Sequence, residues 1–241
     1  MLKKIFFKLI KPLIGTRSYS QAGEDRILAF LFDTMGIRSI SYLDIGANHP
    51  EIGNNTYLFY RKGSRGILIE PDPAFNQVLQ KARPGDKIVQ AAISDKETGE
   101  ADFYIFNEPS INTLSKQEAD LRQQSGKYFI KETQKIKLLT VEKIITDYMN
   151  NVMPHLISLD VEGVDYDVLN AFDFSKYPVP VWVIETCEYS ENHIKPKTTS
   201  IINLMLRKNY FIYADTYINT IFVNKEWFEN NNRSQITIPL S

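Results

Sequence analysis

The stretch Tyr42–Pro50 (YLDIGANHP) constrains the fold more than any other part of the chain. Its apolar run, Ile40–Ile45, predicts a short buried strand that breaks into a turn at Gly46 and Ala47. Asp44 lies just before the break, where an open α/β sheet binds ligands. Small residues in the turn let a ligand approach the backbone, and the carboxylate favours an ammonium group or a hydroxyl donor over a pyrophosphate. The alternative is an ordinary Asp-x-Gly turn.

Two further strands end on polar residues. Residues 66–72 (GILIEPD) end at Glu70, and an acid in that place accepts both hydroxyls of a ribose. Residues 87–93 (KIVQAAI) end at Ser94 and Asp95, which we expect within reach of an adenine ring. S-adenosylmethionine carries both a cation and a ribose, so it fits this series of strand ends. Each end taken alone is equally a turn or a solvated strand end.

The composition bounds the class of protein. The 241 residues suit one large domain, or one domain with appendages, and 43% are hydrophobic and 24% charged. A net charge of -1 argues against a nucleic-acid partner. Cys187 is the only cysteine, which excludes an internal disulfide and fits a reducing compartment. With no apolar run long enough to span a membrane, we predict a cytoplasmic protein.

The N-terminal segment, residues 1–17, is basic and amphipathic. Residues 2–11 place apolar side chains on one helical face and lysines opposite, and Pro12 ends the pattern. Such a helix can lie on the inner, anionic face of a membrane, which predicts peripheral contact through residues 1–14. The alternative is a terminal helix packed on the main domain, residues 18–241.

The rest of the chain alternates strands and helices. Residues 155–163 and 181–185 predict two more buried strands that end on acids, and residues 210–216 and 218–224 predict an antiparallel hairpin. The sum is a doubly wound α/β sheet of the Rossmann type. Residues 101–106 alternate as an extra strand, and 107–135 have weak periodicity, with a helix near 116–123. We expect 107–135 to be a lid or an acceptor-binding insert, or else a disordered excursion.

Seven short motifs occur in the order seen in FkbM-type methyltransferases, and the chain resembles that family over about residues 18–224. They are residues 20–25 (SQAGED), 43–50 (LDIGANHP), 55–56 (NT), 69–72 (IEPD), 92–95 (AISD), 159–163 (LDVEG) and 219–223 (NTIFV). The resemblance implies an S-adenosylmethionine-dependent methyltransferase with a seven-stranded sheet and an antiparallel last strand. It also implies O-methylation of a sugar or polyketide hydroxyl. Pro50 departs from the glycine of many relatives, which leaves the role of His49 open.

The motifs imply a cofactor site that combines the strand ends with neighbouring polar residues. Its predicted members are Gln21, Asp44, Gly46, Ala47, Asn48, Asn55, Thr56, Glu70, Pro71, Asp72, Ser94, Asp95 and Asp160.

Methyl transfer to a sugar hydroxyl is an in-line displacement that gains from a nearby base. Asp160 and Glu162 alternate along a strand, so only one is expected to face the methyl group. Glu162 is the first candidate for the base, followed by Asp160, His49 and Glu185; Asp160 alternatively holds the methionine amino group. These ligand types also suit a divalent metal, but the spacing does not require one, and none is assigned.

Two other functions fit the pattern less well. A nicotinamide-dependent oxidoreductase would need a G-x-G-x-x-G turn after the first strand, whereas residues 46–50 of this chain read GANHP. A non-catalytic interaction protein that retains the fold is the other alternative, since fold alone does not fix activity.

Overall fold

The computed structural model describes residues 17–96, 99–108, 111–161, 163–187 and 197–233. The predicted N-terminal helix and the candidate base Glu162 therefore lie outside the described residues. Within these ranges, no helix has the length and apolar character needed to cross a membrane.

Ten strands and eight helices are defined in the part of the chain that the structure describes. The strands are β1 (Ser41–Ile45), β2 (Arg65–Ile69), β3 (Lys87–Val89), β4 (Ala92–Ile93), β5 (Gly99–Phe106), β6 (Ile130–Leu139), β7 (Leu156–Leu159), β8 (Val181–Glu185), β9 (Tyr210–Asp215) and β10 (Asn219–Asn224). The helices are α1 (Glu24–Thr34), α2 (Tyr57–Arg61), α3 (Pro73–Ala82), α4 (Lys116–Gln124), α5 (Val141–Tyr148), α6 (Asp165–Ala171), α7 (Thr199–Arg207) and α8 (Lys225–Arg233).

The main sheet has seven strands in the order β3-β2-β1-β7-β8-β10-β9. Strands β3, β2, β1, β7 and β8 run parallel, whereas β10 is antiparallel to both β8 and β9. The chain turns back between β1 and β7, which makes this pair the topological switch point where such sheets bind ligands. The predicted doubly wound sheet with an antiparallel C-terminal hairpin is confirmed.

The central strands bury both faces, because helices cover the sheet on each side. Leu43 and Ile45 of β1 pack in one core cluster with residues of α5, α6 and α7. Tyr42 packs in a second cluster with residues of α1 and with Leu68 of β2. Near-continuous apolar runs are typical of strands that are buried in this way.

A second, three-stranded sheet has the order β4-β6-β5. The single strand predicted over residues 87–93 is wrong: β3 ends at Val89, and β4 leaves the main sheet to pair with β6. The extra strand predicted at 101–106 is confirmed as part of β5. The helix predicted near 116–123 is confirmed as α4, and residues 130–135 belong to β6, so much of 107–135 has regular structure.

A buried polar network joins α3 to β1. Arg83, at the end of α3, is fully buried, and its Nε donates to Asp86 at 2.8 Å. Its Nη2 donates to the Tyr42 hydroxyl at 3.0 Å and to Thr56 Oγ1 at 2.9 Å, while its Nη1 lies 3.7 Å from the Asp44 carboxylate. Because this guanidinium compensates two carboxylates away from water, its loss leaves both buried charges unpaired.

We expect Arg83→Leu to lower the free energy of unfolding by roughly 3–5 kcal/mol at neutral pH, since it strips the cation from two buried carboxylates. The loss should be smaller at acidic pH, where protonation removes the uncompensated charge. Urea unfolding at both pH values measures it. Lys81→Ala on the exposed surface of α3 is the control, and a loss as small as that of this control would contradict the role given to Arg83.

Candidate active site

A cavity of about 360 Å³ opens at the carboxyl edge of the main sheet, between the switch point and the second sheet. Of the residues predicted to bind the cofactor or act in catalysis, those that line it are Gly46, Asn48, Glu70, Pro71, Asp72 and Asp160. The sequence did not single out several others that line it, including Phe75, Phe103, Asn112, Thr113, Leu114, Ser115 and Glu118.

Gly46 brings the ends of β1 and β7 into direct contact. Its φ is +78°, and a Cβ built on it would lie 1.8 Å from the carbonyl oxygen of Asp160. Its N–H donates to the Ile69 carbonyl at 3.0 Å, which also ties it to the end of β2. Only glycine fits both the dihedral angle and the contact, so the base of the cavity is bare backbone that a ligand can approach closely.

Glu70 presents a buried, oriented carboxylate to the cavity. Its side-chain oxygens accept from the backbone N–H groups of Asn48 and Asp72, each at 2.8 Å. Asn48 has a φ of +47°, a conformation that asparagine tolerates better than most residues. Burial raises the pKa of Glu70 to about 7, although the two backbone donors oppose the shift. The carboxylate is suited to accept two vicinal hydroxyls of a ribose.

Asp72 fixes the loop that follows Glu70. One carboxylate oxygen accepts from the N–H of Ala74 at 2.7 Å and caps α3, as the Asp-Pro pair predicts. The other accepts from the side-chain amide of Asn112 at 2.7 Å. Asp72 therefore links the loop that follows Glu70 to the segment that follows β5.

Acidic side chains gather at the ends of β7 and β8. Asp160 lines the cavity, and Glu185 ends β8 in a partly buried position. Asp165, at the start of α6, is buried and accepts from the Val161 N–H at 3.1 Å. Burial, together with the neighbouring charge of Glu185, raises the pKa of Asp165 to about 6. The sequence marked Asp165 only as a helix cap, because its proximity to Glu185 depends on the packing of β7 against β8.

Asp44, predicted to meet the ligand's cation, does not line the cavity. Its carboxylate accepts from Thr56 Oγ1 at 2.6 Å and from the Asn54 amide at 3.0 Å, beside Arg83. Of the other residues predicted nearby, Asn55 donates to Ser158 at 3.1 Å. Asp44, Asn55 and Thr56 thus form the framework behind the cavity rather than its surface.

Ala47 also lies behind the cavity, buried, with its N–H donating to the Ile69 carbonyl at 3.2 Å. Ser94 and Asp95, predicted to meet the adenine, do not line the cavity either. The N–H of Ser94 donates to the Leu139 carbonyl at 2.9 Å, so this strand end belongs to the second sheet.

Gln21 and His49 lie outside the cavity as well. Gln21 accepts from the Asn219 amide at 3.3 Å, and its Cγ lies next to Gly53. The Nδ1 of His49 accepts from the N–H groups of Glu51 and Ile52 at 3.1 and 3.0 Å. A neutral imidazole then carries its proton on Nε2, which makes His49 a hydrogen-bond donor there rather than a base.

Within the described residues, no three His, Cys, Asp or Glu side chains are grouped so that they could hold a metal ion.

A nucleoside-sized cavity at the switch point of a seven-stranded sheet, with an oriented acid after β2, defines a Rossmann-like methyltransferase of class I. Residues 44–212 match the family described as the methyltransferase FkbM domain, which covers more than half of the chain. The protein therefore belongs to the FkbM methyltransferase family, and its methyl donor is S-adenosylmethionine.

Several solved methyltransferases are similar to the chain at low identity. A TehB-like SAM-dependent methyltransferase from Corynebacterium glutamicum is 11% identical, with a TM-score of 0.43 and coverage of 92% of this chain and 96% of that one. An O-methyltransferase from Bacillus cereus in complex with SAH is 12% identical, with a TM-score of 0.39 and coverage of 93% and 90%. No curated protein matches the chain significantly.

We expect the affinity of the protein for S-adenosylhomocysteine to fall about tenfold from pH 8 to pH 6, because the ionised fraction of a carboxyl with a pKa of about 7 falls by that factor. The variant Glu70→Gln should bind more weakly at pH 8 and lose this pH dependence, as its amide does not titrate. Isothermal titration calorimetry measures both. Glu132→Gln, on the exposed surface of β6, should keep the parent profile. A parent affinity that is constant with pH would refute the role of Glu70.

Proposed function

We propose that the protein transfers a methyl group from S-adenosylmethionine to a hydroxyl of a sugar, in a surface glycan or a related glycoside. The observation that carries the proposal is a cavity lined by both the buried carboxylate of Glu70 and Asp160. Asp165 and Glu185, which do not line it, lie at the start of α6 and at the end of β8. The family assignment favours this function over a nicotinamide-dependent oxidoreductase and over a protein that only binds partners.

The residues that line the cavity fit the methyl donor. Glu70 would accept the ribose hydroxyls, and the backbone at Gly46 and Asn48 lets the ligand approach closely. Because Arg83 neutralises Asp44, we assign the methionine ammonium group to Asp160. When bound, S-adenosylmethionine supplies a methyl carbon activated by a positively charged sulfur.

The protein's contribution to the reaction is to position the hydroxyl and remove its proton. A sugar hydroxyl is a weak nucleophile at neutral pH and gains from a base whose pKa lies near the operating pH. Glu185 lies at the end of β8, which neighbours β7, and Asp160 directly follows β7. The charge of Glu185 helps to raise the pKa of Asp165. We assign the base to Glu185, and Glu162, outside the described residues, is the alternative.

Polar groups at the same sheet edge support a hydroxylated acceptor. Glu24 is buried, and its carboxylate accepts from Thr216 Oγ1 at 2.6 Å and from the Asn219 amide at 3.0 Å. Asn219 in turn donates to the exposed Gln21. Tyr217, in the turn between β9 and β10, is 49% exposed, and Lys197 Nζ lies 5.7 Å from the centroid of its ring. The side-chain amides of Asn219 and Gln21 are suited to the hydroxyls of a sugar.

The acceptor class is tested with methyl-labelled S-adenosylmethionine and the polysaccharide fraction of a strain that lacks the gene. Label should enter the polysaccharide only with the active protein, and hydrolysis should yield a sugar that is 14 daltons heavier than in the untreated fraction. Label in a lipid or protein fraction alone would refute a sugar acceptor.

We expect two variants to separate binding from chemistry. Asp160→Asn should weaken the binding of S-adenosylhomocysteine about tenfold, since it removes one charge pair worth about 1.4 kcal/mol. Glu185→Gln should leave that affinity unchanged and lower kcat about a hundredfold, which is typical of a lost general base. Calorimetry and single-turnover rates with the labelled sugar measure the two effects. An unchanged kcat in Glu185→Gln would transfer the role to Glu162, tested by Glu162→Gln.

A further inference from the structure

The cavity has two chemically different ends, and the strand order assigns a part of the ligand to each. Glu70 ends β2, which lies between β1 and β3 in the sheet. On the β1–β7 side the cavity is lined by Gly46, Asp160 and Gly163. If Glu70 holds the ribose and this side holds the methionine part, the adenine base of the ligand must extend the other way, towards β3 and the second sheet.

At that other end the cavity is lined by Asn112, Thr113, Leu114, Ser115 and Glu118. We call the segment that carries them, residues 111–118, the base wall. This segment is fixed in place, because the side chain of Asn112 accepts from the Phe106 N–H at 2.8 Å and donates to Asp72 at 2.7 Å. The backbones of Tyr104 and Thr113 also form a paired bridge. The base wall therefore has a defined position against the loop that carries Glu70.

The base wall offers the surfaces that a purine requires. Leu114 lines the cavity together with Phe75 and Phe103, which provides apolar contact for an aromatic ring. Glu118 lines the cavity too, and its Oε2 accepts from Thr113 Oγ1 at 2.9 Å and from Arg122 at 3.0 Å. Both contacts fall on Oε2, so Oε1 retains the capacity to accept from an exocyclic amine.

We propose that the base wall recognises the adenine of the methyl donor, with Glu118 accepting a hydrogen bond from its exocyclic amine. The inference rests on the proposed placement of S-adenosylmethionine in this cavity. It transfers adenine recognition from Ser94 and Asp95 to the segment after β5. That segment then acts as a cofactor-specificity element, not as an acceptor-binding insert.

Two pairs of variants test the proposal by calorimetry with S-adenosylhomocysteine and with S-inosylhomocysteine, whose base carries a carbonyl in place of the amine. Leu114→Trp should fill the base end and weaken the binding of S-adenosylhomocysteine at least about tenfold, whereas Leu121→Trp, exposed on α4, should not. The parent should prefer the adenine ligand at least about tenfold. Glu118→Ala should reduce this preference to about threefold or less, while Asp120→Ala, exposed on the same helix, keeps it.

Equal affinities in Leu114→Trp and Leu121→Trp would overturn the proposal, as would a parent preference that survives in Glu118→Ala. If thermal unfolding shows that Leu114→Trp does not fold, the ligand preference of Glu118→Ala decides. A parent that binds both ligands equally refutes the base wall alone. A parent that binds neither refutes the use of this cavity by S-adenosylmethionine, and with it the proposed function.

Discussion

The contact between Gly46 and the Asp160 carbonyl is the constraint on which the site depends. Strands β1 and β7 pair side by side, and their chain ends meet with no room for a side chain at residue 46. Because these two strands flank the switch point, their loops diverge just beyond the contact and leave backbone exposed on the floor of the cavity. Asp160 follows β7 at this contact, and Glu70 follows β2, whose Ile69 carbonyl accepts from the Gly46 N–H.

Four carboxylates near this edge have different chemistry because their surroundings differ. Asp44 is buried beside Arg83 and is satisfied by protein groups, so it supports the loop behind the cavity. Glu70 is buried, lines the cavity, and accepts from two backbone N–H groups that fix its orientation. The pKa of Asp165 is raised to about 6 by burial and by the like charge of Glu185. Burial raises the pKa of Asp44, Glu70 and Asp165 alike, and perturbed pKa values in a cluster of acids are typical of functional sites.

The second sheet changes how the cavity is closed. Strand β4 leaves the main sheet to pair with β6, so the strand end at Ser94 turns away from the cavity. Ala92 and Ile93 of β4 line the cavity, and the segment around Asn112 lines it as well. The hydrogen bond from Asn112 to Asp72 then couples the added sheet to the loop that carries Glu70. In the proposed arrangement, the added sheet would change how the cofactor is recognised while the seven-stranded sheet keeps its order.

Sequence alone determined the strand-helix alternation, the polar strand ends and the family, because hydrophobic periodicity and short motifs are local signals. Of the residues that it assigned to the site, Gly46, Glu70 and Asp160 line the cavity. The tertiary structure decided which acids face it. Asp44 points to the face opposite Ile45, since side chains alternate along a strand, and there it meets Arg83, 39 positions further on.

The base wall could not be identified from the sequence either, because Asn112 contacts Asp72 only when β5 and β6 pair and bring the two residues together. Contacts between residues far apart in sequence produce no periodic pattern along the chain. These contacts therefore decide which of the candidate residues line the cavity and which support it from behind.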